Sequence, residues 1–144
     1  MRYLDTSSLI ALYYPEEKTE PLIAHLNQHR LPLVFTWLHE LELTNGLQLK
    51  LFRKEATAAA IGATLDAVHR DQVDGVLHGA QPTWTTVIET TLRLAEVHTG
   101  ALGARTLDLL HIAAALTLQA SEFVTGDKRQ AIAAANEGLT VVRI

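Results

Sequence analysis

The sequence predicts an α/β fold with a short, mostly parallel sheet of four to five strands, flanked by helices. Short strand-like runs alternate with longer helical patterns, and strands that alternate with helices pair in parallel, with helices on both faces. Of the 144 residues, 48% are hydrophobic and 19% are charged, which is enough apolar material for a core. No repeat or Gly/Ser-rich linker divides the chain, so we expect one domain over residues 1–144.

The predicted strands are brief. The first, Arg2–Leu4, ends in the small polar residues Asp5–Ser8, which offer a helix cap. A second run enters through Pro32, and a loop or short edge strand lies near Val76. Together the strand-like runs cover residues 2–4, 33–36, 76–78, 122–125 and 139–143.

The predicted helices rest on apolar residues at helical spacing and on residues that start or stop a helix. Pro15, followed by two acids, is typical of a helix start. We expect Gly100–Arg105 to interrupt one helix and Thr106 to cap the next one. The helical patterns cover residues 9–14, 15–30, 37–53, 56–73, 84–99, 107–119 and 128–136.

The chain contains no cysteine, which excludes disulfides, thiolate metal sites and thiol catalysis. Any metal ion must therefore be held by oxygen or imidazole ligands. Asp5 interrupts what would be the apolar stretch of a signal peptide, and no run approaches the roughly 18 apolar residues of a membrane span. We therefore expect a cytoplasmic protein that does not associate with a membrane.

The net charge of −4 argues against the broad basic surface that many nucleic-acid binders carry. It does not argue against a nuclease that collects carboxylates, because such a site becomes cationic only when a divalent metal binds. No Gly-rich phosphate loop follows a strand, so nucleotide-cofactor chemistry has no support.

Two acids follow strand-like runs directly. Asp5 and Asp127 each end such a run and precede a helix. Ligands of parallel α/β sheets bind beyond the carboxyl ends of the strands, so both acids are candidate site residues. Helix capping is the alternative explanation for each of them.

Asp108 lies in a segment that is apolar on nearly every helical face. A buried carboxylate needs a cationic partner, so we expect a positive charge to face it. The alternative is an acid in the first helical turn, stabilised by the helix N-terminus behind a Thr106 cap.

The helix that begins at Trp37 carries two further candidate cleft acids, Glu40 and Glu42. Helical geometry does not distinguish clearly between them.

Four acids from four segments would form an oxygen-rich pocket that repels itself unless Mg²⁺ or Mn²⁺ fills it. Attack of a metal-activated water on a phosphodiester is the chemistry that suits such a pocket. A DNA nuclease or phosphatase would share the pocket, and a non-catalytic binding module of the same fold would use the acids only as caps and surface charge.

Other polar residues are weaker candidates. A zinc pair at His25 and His29 lacks a third ligand. We expect His39 and His111 to be structural, and the alternative is that they orient the neighbouring acids Glu42 and Asp108 or move a proton there. Residues expected to donate hydrogen bonds to the acids are Thr6, Ser7, Asn45 and Thr125. Residues expected to bind phosphate are Lys50, Arg53, Arg105, Lys128 and Arg129.

Four segments, in order, resemble the motifs of PIN-domain ribonucleases, and specifically of VapC-type toxins of bacterial toxin–antitoxin pairs. These segments are Tyr3–Ile10, Thr36–Leu47, Arg105–Ala115 and Phe123–Gln130, and the resemblance covers essentially the whole chain. In the family's second motif the acid before the Asn carries the metal role, which favours Glu42 over Glu40. Gly46 departs from the pattern, since Ala is more usual there.

The resemblance implies a three-layer PIN-like fold and a metal-dependent endoribonuclease, the toxin of a type II toxin–antitoxin system. It implies that Asp5, Glu42, Asp108 and Asp127 are the catalytic residues and hold Mg²⁺ or Mn²⁺, with Asp5 and Asp108 as the principal ligands. It also implies an RNA substrate, a homodimer, and a VapB-like antitoxin that blocks the cleft.

Overall fold

Five parallel strands form one sheet in the order β3-β2-β1-β4-β5 in the computed structural model, which describes all residues from Met1 to Ile144. The strands are β1 Arg2–Leu4, β2 Leu33–Phe35, β3 Leu77–Gly79, β4 Glu122–Thr125 and β5 Val141–Arg143. The predicted parallel sheet is therefore confirmed, and the doubtful run near Val76 is its edge strand β3. The first strand lies at its centre, between β2 and β4.

Eight helices connect and cover these strands. They are α1 Thr6–Tyr13, α2 Thr19–Gln28, α3 Trp37–Phe52, α4 Ala58–Val73, α5 Trp84–Leu94, α6 Gly100–Leu102, α7 Thr106–Thr117 and α8 Lys128–Asn136. A π-helical segment, Ala95–Thr99, joins α5 to α6. None of the helices combines the length and apolar character that a membrane crossing requires.

The two faces of the sheet carry separate apolar clusters. Successive residues of a strand point to opposite faces, so Tyr3 packs with α5, α7 and α8 on one face while Leu4 packs with α1, α3 and α4 on the other. Phe123 and Val124 divide between the two clusters in the same way. The result is the predicted three-layer arrangement, with helices on both sides of the sheet.

Several predicted boundaries were wrong. The second helix begins at Thr19 rather than Pro15, because the Thr19 hydroxyl accepts the amide of Glu16 (2.8 Å) in a turn that precedes the helix. The helix expected to stop at Gly100 continues to Leu102, because Gly100 keeps helical backbone angles. It ends at Gly103, whose φ of 64° is the left-handed conformation that terminates helices.

The start of α7 also differs from the prediction. Thr106 is its first helical residue, and Arg105 is the N-cap, with an extended backbone. The Asp108 carboxylate accepts the backbone N–H of Arg105 (3.2 Å), so the acid satisfies an amide at the N-terminus of its own helix.

Gly46 allows α1 and α3 to approach closely. A Cβ at this position would lie 2.7 Å from the Cδ1 atom of Ile10. Gly46, where the family more usually has Ala, therefore faces the bulky Ile10 side chain on α1. An alanine at position 46 would require the end of the Ile10 side chain to move.

Candidate active site

A polar cleft lies at the carboxyl ends of the adjacent strands β1 and β4, where α1 and α8 begin. It encloses about 330 Å³, and no hydrophobic side chain lines it. Its lining residues are Asp5, Thr6, Ser7, Lys18, Glu42, Arg105, Asp108, His111, Gly126, Asp127 and Gln130. The structure thus brings together all four acids that the sequence analysis selected, each from a different element.

Asp5 is only 5% exposed and caps α1. Its Oδ1 atom accepts the backbone N–H of Ser8 (2.7 Å), and its Oδ2 atom accepts the hydroxyl of Thr125 (2.7 Å). The Ser7 hydroxyl lies 3.0 Å from both oxygens. Capping and cleft lining, which the sequence presented as alternatives, therefore coexist at this carboxylate.

Asp127 caps α8 in a similar way. Its Oδ1 atom accepts the backbone N–H groups of Arg129 (2.7 Å) and Gln130 (3.0 Å). Burial raises the pKa of Asp127, but these amides and the charges of Arg129 and Arg105 outweigh that effect and hold the pKa below its ordinary value. Asp127 therefore contributes a negative charge to the cleft at neutral pH.

The cation expected opposite Asp108 is Arg105, which comes from the preceding turn of the chain rather than from another element. Its Nε atom donates to Oδ2 of Asp108 (3.0 Å), and its Nη2 atom donates to Oδ1 (3.3 Å). The Arg105 side chain is 69% exposed, so it can leave the carboxylate without opening the core. Gln130 donates to the backbone carbonyl of Asp108 (3.1 Å), which ties α7 to α8.

Glu42 reaches the cleft from α3. Its Oε2 atom accepts the hydroxyl of Thr6 (2.8 Å) and the Nε2–H group of His111. Burial raises the pKa of Glu42, but the hydrogen bonds from His111 and Thr6 outweigh it and hold the pKa below its ordinary value. Glu40 is exposed and lines a separate groove beside Trp37, so the structure places Glu42, and not Glu40, in the cleft.

The sequence analysis missed the cleft side chains of Gln130 and Lys18 and favoured a structural role for His111. His111 lies one helical turn after Asp108 and lines the cleft, so the alternative role beside the acids is the one that its position fits. Gln130 is 2% exposed and lies near Thr125. Lys18 precedes α2 in a loop, and its Nζ atom passes so close to Gly126 that a Cβ there would collide with it; no local pattern indicates this approach.

Most of the other polar candidates lie outside the cleft. Of the five basic residues proposed for phosphate binding, only Arg105 lines it. Lys50 pairs with Glu16 (3.3 Å) instead.

The remaining polar candidates divide between the cleft and other parts of the surface. His25 contacts Glu122 in β4, and Asn45 lines a neighbouring groove rather than the cleft. The hydroxyls of Thr6 and Thr125 contact cleft acids, as expected.

The donor chemistry of the cleft fits a hard divalent cation, because four carboxylates line one polar space. As the side chains stand, no three acids or histidines are arranged as a complete metal-binding group. Arg105 contacts both oxygens of Asp108, so a cation that used Asp108 would share that carboxylate with the guanidinium or displace it.

His39 lies behind the cleft and is fully buried. Its Nδ1 atom accepts the backbone N–H of Thr36 (3.0 Å), and its Nε2 atom donates to the carbonyl of Leu4 (2.8 Å). The neutral ring satisfies both contacts, whereas a protonated ring would turn an N–H group toward the Thr36 amide. Burial, followed by the nearby His111, lowers the pKa of His39 to about 3.

This burial predicts acid sensitivity. Between pH 6.5 and about 3 the unfolded chain binds a proton at His39 that the folded protein does not bind, so the stability present above pH 6.5 falls with pH. The expected loss from this residue is at most about 1.4 kcal/mol per pH unit. Urea unfolding from pH 7.5 to 4 tests it: His39→Gln should show a shallower pH dependence, and equal slopes would contradict the prediction.

Comparison with known protein families gives one match that spans most of the chain. A family model described as the PIN domain matches residues 2–136. No curated protein sequence matches the chain significantly.

Three solved structures share the fold. FitAcB from Neisseria gonorrhoeae is 18% identical with a TM-score of 0.64, covering 99% of this chain and 97% of that one. VapBC2 from Rickettsia felis, bound to a DNA fragment from its promoter, is 15% identical with a TM-score of 0.67, covering 100% and 99%. VapBC-1 from nontypeable Haemophilus influenzae is 17% identical with a TM-score of 0.65, covering 99% and 98%.

Proposed function

Because the chain belongs to the PIN domain family, whose members are nucleases, we propose that it is an endoribonuclease that depends on Mg²⁺ or Mn²⁺. The observation that carries the proposal is the convergence of four carboxylates from four elements on one polar cleft. Three of them, Asp5, Asp108 and Asp127, lie at helix N-termini, and Glu42 comes from the middle of α3.

Asp5, Glu42, Asp108 and Asp127 would hold the divalent cation, with Asp5 and Asp108 as the principal ligands. The cation would supply the positive charge that offsets the phosphate's charge and favours deprotonation of the attacking water. Hydrogen bonds from Ser7, Ser8 and Thr125 keep the Asp5 carboxylate in one orientation toward the cleft. Lys18 and Arg105 place positive charge on the cleft wall, where it suits the phosphates of an RNA strand.

The test is cleavage of total RNA by the purified protein with Mg²⁺ or Mn²⁺, and with EDTA. Discrete cleavage that EDTA abolishes is the expected result. Glu42→Gln and Glu40→Gln provide a matched pair on one helix: the first should lose activity and the second should keep it. Cleavage of single-stranded DNA but not RNA would make the protein a DNA nuclease, and no cleavage of either would overturn the nuclease proposal.

The same family relationship supports a role as the toxin of a type II toxin–antitoxin system. Two of the similar structures are VapBC assemblies, so we infer a VapB-like antitoxin that covers the cleft. We also infer a homodimer. Purification together with the product of a neighbouring gene, followed by light scattering, tests both partners: a monomer with no associated protein would contradict them.

Lys18 is expected to hold RNA through phosphate charge. Lys18→Ala should weaken binding to all RNA sequences alike and lower the slope of log affinity against log salt by about 0.7. Fluorescence anisotropy with labelled RNA in an Asp108→Asn background measures this without cleavage. Lys128→Ala, on an exposed residue outside the cleft, is the matched control, and equal effects of the two substitutions would contradict a specific role for Lys18.

A further inference from the structure

A buried chain of hydrogen bonds leads from the sheet to Glu42. The hydroxyl of Tyr3 lies 2.9 Å from Nδ1 of His111, and Nε2 of His111 contacts Oε2 of Glu42. Tyr3 is fully buried and His111 is 3% exposed, so water has almost no access to the imidazole. The Thr6 hydroxyl lies 3.0 Å from the same Nε2 atom and donates to the same Glu42 oxygen.

The positions of the protons follow from the donors and acceptors available. An ionised carboxylate only accepts hydrogen bonds, so the His111 nitrogen that faces Glu42 must carry a hydrogen. In the neutral ring the other nitrogen, Nδ1, then accepts a hydrogen bond, and the Tyr3 hydroxyl can donate it. A neutral His111 ring with its hydrogen on Nε2 therefore satisfies the Tyr3 hydroxyl, the imidazole and the Glu42 carboxylate together.

Both hydrogen bonds to the Glu42 carboxylate end on Oε2. Oε1 accepts no hydrogen bond from the protein, and Glu42 lines the cleft, so this oxygen remains available to a cation. A glutamate has three side-chain torsions, so two donors on one oxygen remove rotational freedom that a cation would otherwise have to remove on binding. The effect is to present the same oxygen to the cleft in every molecule.

Resting on the function proposed above, we propose that His111, oriented by Tyr3, is a positioning residue that fixes the Glu42 carboxylate for divalent-cation binding. It touches neither the substrate nor the cation, and it acts only through Glu42. Loss of a partner that orients a metal ligand typically weakens metal affinity by about 10- to 100-fold.

The experiment measures Mn²⁺ binding to the full-length protein by calorimetry, without RNA. His111→Leu should weaken Mn²⁺ affinity about 10- to 100-fold. His111→Gln, which can return an N–H donor near the position of Nε2, should recover most of that loss. The matched control is His98→Leu: His98 is also buried and contacts a glutamate, Glu137 (2.7 Å), but neither residue lines the cleft. This variant should lose stability and keep wild-type Mn²⁺ affinity.

A second readout needs no metal. Nitrogen-15 NMR of labelled histidine should show His111 with hydrogen on Nε2 in the wild type and a mixture of tautomers in Tyr3→Phe, which keeps the aromatic packing. Tyr3→Phe also serves as a folded substitute if His111→Leu does not fold, and it should weaken Mn²⁺ affinity less than His111→Leu.

The outcomes separate this proposal from the function on which it rests. Wild-type Mn²⁺ affinity in both folded His111→Leu and Tyr3→Phe would overturn the positioning role and leave the nuclease proposal standing. A wild-type protein that binds no Mn²⁺ would overturn the metal dependence and the positioning role together. A rise in KM for RNA with unchanged Mn²⁺ affinity would place His111 in RNA binding and also overturn the proposal.

Discussion

Under the proposed function, replacing Asp108 by asparagine is expected to reduce RNA cleavage by about 10²-fold or more, because it removes a carboxylate that would hold the divalent cation. The fold should tolerate the change. An asparagine side chain keeps an acceptor for the Arg105 amide, and the lost pair has a largely exposed partner, so the free energy of unfolding should change by less than about 1 kcal/mol.

A matched control for this experiment is Asp71→Asn. Asp71 accepts the hydroxyl of Tyr13 (2.6 Å) and lies outside the cleft, so the substitution changes net charge equally without touching the candidate site. Cleavage rates with Mg²⁺ and urea unfolding should be measured for both variants. If Asp108→Asn cleaves RNA at the wild-type rate, Asp108 has no catalytic role. If it unfolds while Asp71→Asn does not, the result favours a structural role for Asp108.

The largest stability effect is expected at the opposite end of the sheet, for Glu122→Gln. Arg2 is 1% exposed, and its Nε and Nη2 atoms donate to the two oxygens of Glu122 at 2.8 and 3.3 Å. Removing one partner of a buried ion pair leaves the other charge uncompensated, which costs about 3–5 kcal/mol. Urea unfolding at pH 7 measures the loss.

Two further variants show whether the uncompensated charge is the cause. Glu16→Gln breaks the more exposed pair with Lys50 and should change stability by less than about 1 kcal/mol. Adding Arg2→Met to Glu122→Gln should recover stability, since no buried charge then remains unpaired. A double variant less stable than Glu122→Gln would contradict this explanation.

The same pair has a defined pH dependence. Burial raises the pKa of Glu122, but hydrogen bonds from Arg2 and His25 outweigh it and hold the pKa below 4.5. Its stabilising contribution is therefore fully present above pH 4.5 and is lost as the pH falls through the lowered pKa. The stability difference between wild type and Glu122→Gln should shrink over that range.

Local patterns predicted what local interactions determine. The strands β1 and β4 and the helices α3 and α8 were located to within about a residue, because their apolar runs and caps lie in adjacent sequence. The same holds for Asp5 and Asp127, which follow strands and cap helices. Two boundary predictions were wrong because two nearby residues could each end or begin the helix: Gly100 or Gly103 for one helix end, and Thr106 or Arg105 for the next N-cap. The left-handed backbone angle at Gly103 fixes the helix end there.

The cleft itself required more than local patterns. Helical periodicity could not choose between Glu40 and Glu42, since both lie on one helix and the choice depends on which side of α3 faces α7. The contact between Glu42 and His111 joins residues 69 positions apart, and the approach of Lys18 to Gly126 depends on a loop. At the sequence level, only the resemblance to a known family favoured Glu42 over Glu40 as the cleft acid.

The sequence by itself determined the α/β class, the parallel sheet, and the positions of Asp5 and Asp127 at strand ends, because hydrophobic periodicity and capping act over a few residues. The tertiary structure decided which side of α3 faces the cleft, that Arg105 pairs with Asp108, and that His111 contacts Glu42. Those contacts arise from packing helices on a twisted sheet, whose geometry depends on side chains throughout both apolar clusters.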